Sequence, residues 1–105
     1  MGKEVVSTNQ FSAVLEHLFE CVPQYYSENT IIKLLDSVEE YKISLSDNPL
    51  LGQVEPIVEY LNKGYRRLVV KPRFKIIYRD SPEAVYLVDI WDNRQDPEKL
   101  ARRLK

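Results

Sequence analysis

GYRRLVVKPRFKIIYRDSPEAVYLVDIWDNRQDP, from Gly64 to Pro97, decides the fold of this chain. Three runs rich in β-branched and aromatic residues follow one another, at about 65–71, 74–80 and 84–92, separated by the turn-forming stretches Lys71-Pro72-Arg73 and Asp80-Ser81-Pro82-Glu83. Connections this short join antiparallel neighbours, because a parallel pair needs a crossover of about a dozen residues or more. The segment therefore reads as a three-strand meander, and any catalytic or binding surface is expected on its sheet. In the middle run Phe74, Ile76 and Tyr78 alternate with Lys75, Ile77 and Arg79. The first set is expected to face the helices and the second an open face.

Upstream, the period changes from two residues to that of a helix. Phe11, Val14, Leu15, Leu18, Phe19 and Val22 form one apolar stripe, which predicts a helix over 9–22, capped by Ser7, Thr8 or Asn9 and ended or kinked at Pro23. Ile31, Leu34, Leu35, Val38, Tyr41 and Leu45 repeat the spacing, predicting a second helix from a Ser27 cap to about Asp47, stopped by Asn48-Pro49. Two such helices a few residues apart form an antiparallel hairpin whose stripe needs a sheet to cover. Lys3 to Thr8 is β-prone and predicts an N-terminal strand. Residues 49–64 read either as a short helix from Pro56 to Gly64 or as a loop with one helical turn. Pro97 opens a short C-terminal helix with Leu100 and Leu104 on one side. The fold class is α+β: a strand, a helix hairpin and a mainly antiparallel sheet ending in the meander, in the order β-α-α-β-β-β.

Composition bounds the class. A chain of 105 residues, 44 % apolar and 30 % charged, is one globular domain over 1–105. No apolar run is long enough to span a bilayer and the first ten residues hold no apolar signal region, so a cytoplasmic location without membrane attachment is expected. One cysteine, Cys21, and one histidine, His17, cannot form an internal disulfide or a structural zinc site of the usual kind; no metal or cofactor is expected. His17 is expected at the surface, far from the basic turn near Arg94, and Cys21 as an ordinary helix residue. The net charge of −1 conceals an asymmetry. Residues 1–62 carry three basic and ten acidic side chains, a net of −7, whereas 63–105 carry twelve and six, a net of +6. Either the halves neutralise each other across the fold, or the second half faces an anionic partner.

The element order, together with Asn48-Pro49-Leu50-Leu51-Gly52 after the second helix, Tyr65-Arg66-Arg67-Leu68 opening the sheet, Phe74-Lys75-Ile76-Ile77-Tyr78 and the ending Asp92-Asn93-Arg94-Gln95-Asp96-Pro97, resembles the RelE/ParE superfamily of toxins from type II toxin–antitoxin, or plasmid stabilisation, modules. The resemblance covers nearly the whole chain. It implies a bacterial toxin silenced by a cognate antitoxin, whose extended segment wraps it and through which alone operator DNA is reached. The RelE branch implies a metal-independent, ribosome-dependent endoribonuclease acting on mRNA; the ParE branch implies inhibition of DNA gyrase without cleavage.

Residue by residue, the RelE-like basic set falls on Arg66, Lys75 and Arg94, the cations that would stabilise a phosphorane-like transition state. Arg67, Lys71, Arg73, Tyr78, Arg79 and Trp91 are the candidates for binding RNA or antitoxin. Against this, the sheet arginines and lysines also serve as solvated edge charges, Arg94 as a turn-fixing partner of Asp92 or Asp96, and Trp91 as packing under the C-terminal helix. The tyrosine or histidine that RelE-like enzymes carry near the C-terminus is replaced by Leu100, which leaves cleavage without an assigned proton acceptor. mRNA cleavage stands first on the basic trio; gyrase inhibition, or an inactive relative that only binds its antitoxin, remains open on that departure. An acidic or amphipathic antitoxin segment is expected on the basic sheet face.

Overall fold

The computed structural model describes residues 2–71 and 73–105. Pro72, at the centre of the first expected meander turn, lies outside the described residues. The chain runs β1 (Val5–Ser7), α1 (Asn9–Glu20), α2 (Glu28–Asp47), β2 (Gln53–Val54), a 3-10 helix (Pro56–Leu61), β3 (Tyr65–Val70), β4 (Phe74–Asp80), β5 (Val85–Asp92) and α3 (Pro97–Leu104). The sheet order is β1-β5-β4-β3-β2, with β1 parallel to β5 and every other pair antiparallel. The expected meander and hairpin are both present. The two-residue β2, which pairs Gln53 with Arg67 and Val54 with Arg66, has too little sequence to carry a period and was not foreseen.

Local chemistry sets the element ends. The Thr8 hydroxyl accepts from Phe11 N–H at 3.1 Å and donates to the Leu87 carbonyl at 2.9 Å, capping α1 and tying it to β5. α1 stops at Glu20, two residues short of the expected Val22. The Ser27 hydroxyl accepts from Thr30 N–H at 3.1 Å to start α2. Asp96 does the same for α3, accepting from Glu98 N–H at 3.0 Å beside Pro97 at the helix start. The 3-10 helix ends where Asn62 adopts a left-handed conformation with φ of 54°.

The hairpin stripe packs on Phe74, Ile76 and Tyr78 as expected, with Phe11, Leu34 and Leu45 essentially inaccessible. The opposite face is not open. The 3-10 helix and α3 cover it, and Ile77 joins Val58, Val88, Trp91, Leu100 and Leu104 in a second apolar cluster. Lys75, expected on an open face, is buried there instead. The physical reason is the pair Leu100 and Leu104, whose shared side needs an apolar partner and finds it on Ile77 and Trp91.

Between α2 and the 3-10 helix the chain passes close beneath the sheet edge. Gly52 N–H donates to the Tyr78 hydroxyl at 2.8 Å, and that hydroxyl donates to the Pro49 carbonyl at 3.0 Å. A Cβ on Gly52 would stand 2.4 Å from the Arg67 carbonyl oxygen and 2.8 Å from the Tyr78 ring. Gly52→Ala is therefore expected to lower stability by roughly 1–3 kcal/mol, as overpacking does, read as a lower urea midpoint.

Candidate functional site

The three basic residues expected to act together are not brought together. Arg66 stands opposite Tyr78 on the hairpin side of the sheet, at its outer edge, where its guanidinium donates to the Gly52 carbonyl at 2.6 Å. Lys75 is on the other face, opposite Trp91 and Val69. Its ammonium lies 3.0 Å from a carboxylate oxygen of Glu55, a residue with no exposed surface, and Arg67 reaches the same oxygen at 3.8 Å. Removing either partner of such a buried pair leaves the other uncompensated, at a cost of about 3–5 kcal/mol.

Arg94 occupies the turn after β5 on the hairpin side. Its guanidinium grips Asp92 through Nε and Nη2, at 3.1 and 2.7 Å to the two carboxylate oxygens, and its backbone N–H donates to Asp92 as well, at 2.9 Å. The Tyr26 hydroxyl donates to Asp92 from the other side at 2.6 Å. Burial pulls the Asp92 carboxyl upward, but these hydrogen bonds from Arg94 and Tyr26 outweigh it and hold the group at about 2. Burial, followed by the carboxylate beside it, pushes the Tyr26 phenol up to about 12. Arg94 is pushed upward by Asp92 and stays a cation.

This cluster forms one wall of a cavity of about 490 Å³ completed by His17, Leu18, Cys21, Tyr25 and Gln95. Arg73 and Arg94 both lie over the Tyr26 ring, at 5.9 and 5.7 Å from its centroid. His17, expected far from the basic turn, lines the same cavity as Arg94, because the C-terminal end of α1 comes down beside the end of β5. One helical turn also places His17 Nε2 3.8 Å from Cys21 Sγ, a pairing the spacing i, i+4 already contained and the reading of Cys21 overlooked. Tyr26 was missed as a site residue: it lies in an irregular connection, and its partner Asp92 is 66 positions away.

The remaining candidates are dispersed. Tyr78, a candidate for binding RNA or antitoxin, is buried under Pro49 and Gly52. Trp91 is buried beneath α3 with Arg103 over its ring at 5.1 Å, and Arg103 also pairs with the buried Asp89, which Gln10 holds at 3.0 Å. Burial raises the Asp89 carboxyl against the opposing pull of Arg103 and Gln10. Arg79 lies over Tyr86 at 4.9 Å and bonds Ser81; Arg67 and Lys71 flank the free part of the β3 edge. Among the described residues no group of three or more His, Cys, Asp or Glu side chains is placed to hold a metal ion, and no helix is long and apolar enough to cross a membrane.

A pair of helices on a five-stranded sheet whose last strand runs into the Arg94 turn is the architecture to which the sequence motifs pointed. The family model described as ParE toxin of type II toxin-antitoxin system, parDE, matches residues 5–97, and the chain belongs to that family, within the RelE/ParE superfamily. Membership makes it the toxin of a type II toxin–antitoxin pair, with a cognate antitoxin as partner. No curated protein matches the chain.

The Asp92 cluster has a pH signature. Because its folded value, about 2, lies below the ordinary 3.8, Asp92 contributes stability that is complete above about pH 4 and is lost as pH falls through 2. Asp92→Asn is expected to cost roughly 2 kcal/mol at neutral pH and to flatten the acid limb of a stability-versus-pH curve. Denaturant titrations between pH 2 and 7 on both proteins measure this.

Proposed function

We propose that this toxin acts by binding a macromolecular target, DNA gyrase, without cleaving it, and that its antitoxin silences it by covering that binding surface. The observation carrying this reading is the separation of the basic trio. Metal-independent cleavage of RNA needs cations converging on one phosphate, together with a proton acceptor. Lys75 is ion-paired and buried on one face of the sheet, while Arg66 and Arg94 lie on the other, each already engaged by a carbonyl or a carboxylate. The family description, a ParE toxin, supports the same branch.

A second reading, ribosome-dependent cleavage of mRNA, is favoured by a different observation. His17 shares its cavity with Arg94 and Gln95, which puts an imidazole, a side chain able to accept and donate a proton, beside a fixed cation in place of the C-terminal residue the sequence lacks. In that reading the active cation set is Arg94 with Arg73, and Lys75 serves the fold.

Two measurements separate these. The purified chain is expected to inhibit gyrase supercoiling at near-stoichiometric ratios, and rapid induction in cells is expected to leave mRNA intact. New 5′ ends inside translated frames, lost when translation is blocked, would overturn gyrase inhibition; their disappearance in His17→Ala would then place cleavage in the Arg94 cavity. A chain that arrests neither growth nor gyrase is an inactive relative. On the leading reading, Arg94→Ala with Lys75→Met retains gyrase inhibition within about threefold wherever it remains folded.

A further inference from the structure

The C-terminal end of α1 carries two donor side chains that the readings above do not use as a pair. His17 and Cys21 stand one helical turn apart, at i and i+4, with the imidazole Nε2 3.8 Å from the Cys21 Sγ. Both line the cavity of about 490 Å³ beside the Arg94 turn. Cys21 is a free, half-buried thiol, and the His17 side chain is 72 % exposed. The other ring nitrogen of His17, Nδ1, lies 3.8 Å from Glu20 Oε2.

The separation of the donors decides what they can hold. A metal ion about 2.0–2.1 Å from an imidazole nitrogen and about 2.3 Å from a thiolate sulfur keeps those atoms about 3.6 Å apart at the tetrahedral angle and about 4.4 Å apart when collinear. The 3.8 Å between Nε2 and Sγ corresponds to an angle of about 120° at the ion, so one ion fits between them without moving the helix. Zinc needs two more protein ligands to close its site, and among the described residues no third His, Cys, Asp or Glu joins the pair. Glu20 does not serve, because it sits on the opposite ring nitrogen, where ligating histidines carry the carboxylate that orients them. A soft monovalent ion is satisfied by two or three ligands, and thiolate with imidazole is a donor set it prefers.

Charge points the same way. A thiolate and a monovalent cation sum to zero, so the occupied pair adds no charge to a cavity that also holds Arg94, itself neutralised by Asp92. A divalent ion would leave a net positive charge facing that guanidinium. Cys21 is also the C-cap of α1, where the partial negative end of the helix favours a cation.

We infer that His17 Nε2 and Cys21 Sγ form a binding site for a soft monovalent metal ion of the cuprous class. As the sulfur–metal bond forms, the Cys21 S–H gives its proton to solvent and the imidazole contributes the Nε2 lone pair; no electron is transferred. Glu20, beside Nδ1, favours the tautomer that leaves Nε2 free for the ion. One cysteine and one histidine are too few for a structural zinc site, but the same count completes a two-donor site when they stand as His17-Leu18-Phe19-Glu20-Cys21. Occupancy withdraws His17 from any proton transfer in the Arg94 cavity, and the site itself is independent of the mode of toxicity.

The test uses the purified, reduced full chain under anaerobic conditions, with cuprous ion supplied as its acetonitrile complex. A sulfur-to-copper charge-transfer absorption in the near ultraviolet is expected to grow and saturate at one equivalent. Silver(I), a diamagnetic stand-in, is expected to shift the His17 ring signals and the Cys21 amide of an isotope-labelled sample. Cys21→Ser is expected to lose the absorption, and His17→Ala to give up the ion to a competing chelator at a concentration at least tenfold lower than the parent chain requires. The metal-free thermal midpoint of each variant, unchanged from the parent, checks its fold. The inference is overturned if no such absorption appears, if it saturates at half an equivalent, which marks a thiol-bound ion shared by two chains, if His17→Ala holds copper as tightly as the parent, which marks a bare thiol, or if zinc binds as tightly as copper.

Discussion

Burial of β4 and β5 on both faces is the constraint on which the rest of the structure depends. Ile76 and Ile77 are neighbours in sequence, point to opposite sides and are both fully inaccessible. A strand in that position needs two covering layers, the α1–α2 hairpin on one side and the 3-10 helix with α3 on the other. The chain supplies both layers from short elements. That is why so short a segment as Pro56–Leu61 is kept against the sheet, and why Leu100 and Leu104 bring α3 back across it.

Two-sided burial turns charged residues of the central strands into paired ones. Lys75 finds Glu55, Asp89 finds Arg103 and Gln10, and Asp92 finds Arg94 and Tyr26. Each pair joins elements distant in the chain: the 3-10 helix start to β4, α3 and α1 to β5, the inter-helix connection to the final turn. Such pairs add little net stability over apolar substitutes, but breaking one strands a buried charge, so they specify which layer sits where.

The same constraint sorts the functional surfaces. Cations consumed in these pairs are not free to converge on a substrate, and what stays available lies at the margins: the cavity between α1 and the Arg94 turn, and the unfinished β3 edge. Both belong to places where the sheet ends and its covering layers do not close over it.

The sequence by itself determined the order of the longer elements, the meander and the hairpin, because these depend on local periods, caps and turn residues that each stretch carries within itself, and its quoted motifs carried the resemblance to the family. It also determined that Phe74, Ile76 and Tyr78 face the helices, since strand alternation is strict. Only the tertiary structure decided what covers Lys75, Ile77 and Trp91, that two-residue β2 exists, and that His17 and Tyr26 share a cavity with Arg94. Those outcomes rest on pairings between residues tens of positions apart, such as Tyr26 with Asp92 and Lys75 with Glu55, and no local pattern encodes the partner of a side chain whose neighbour is supplied by another layer.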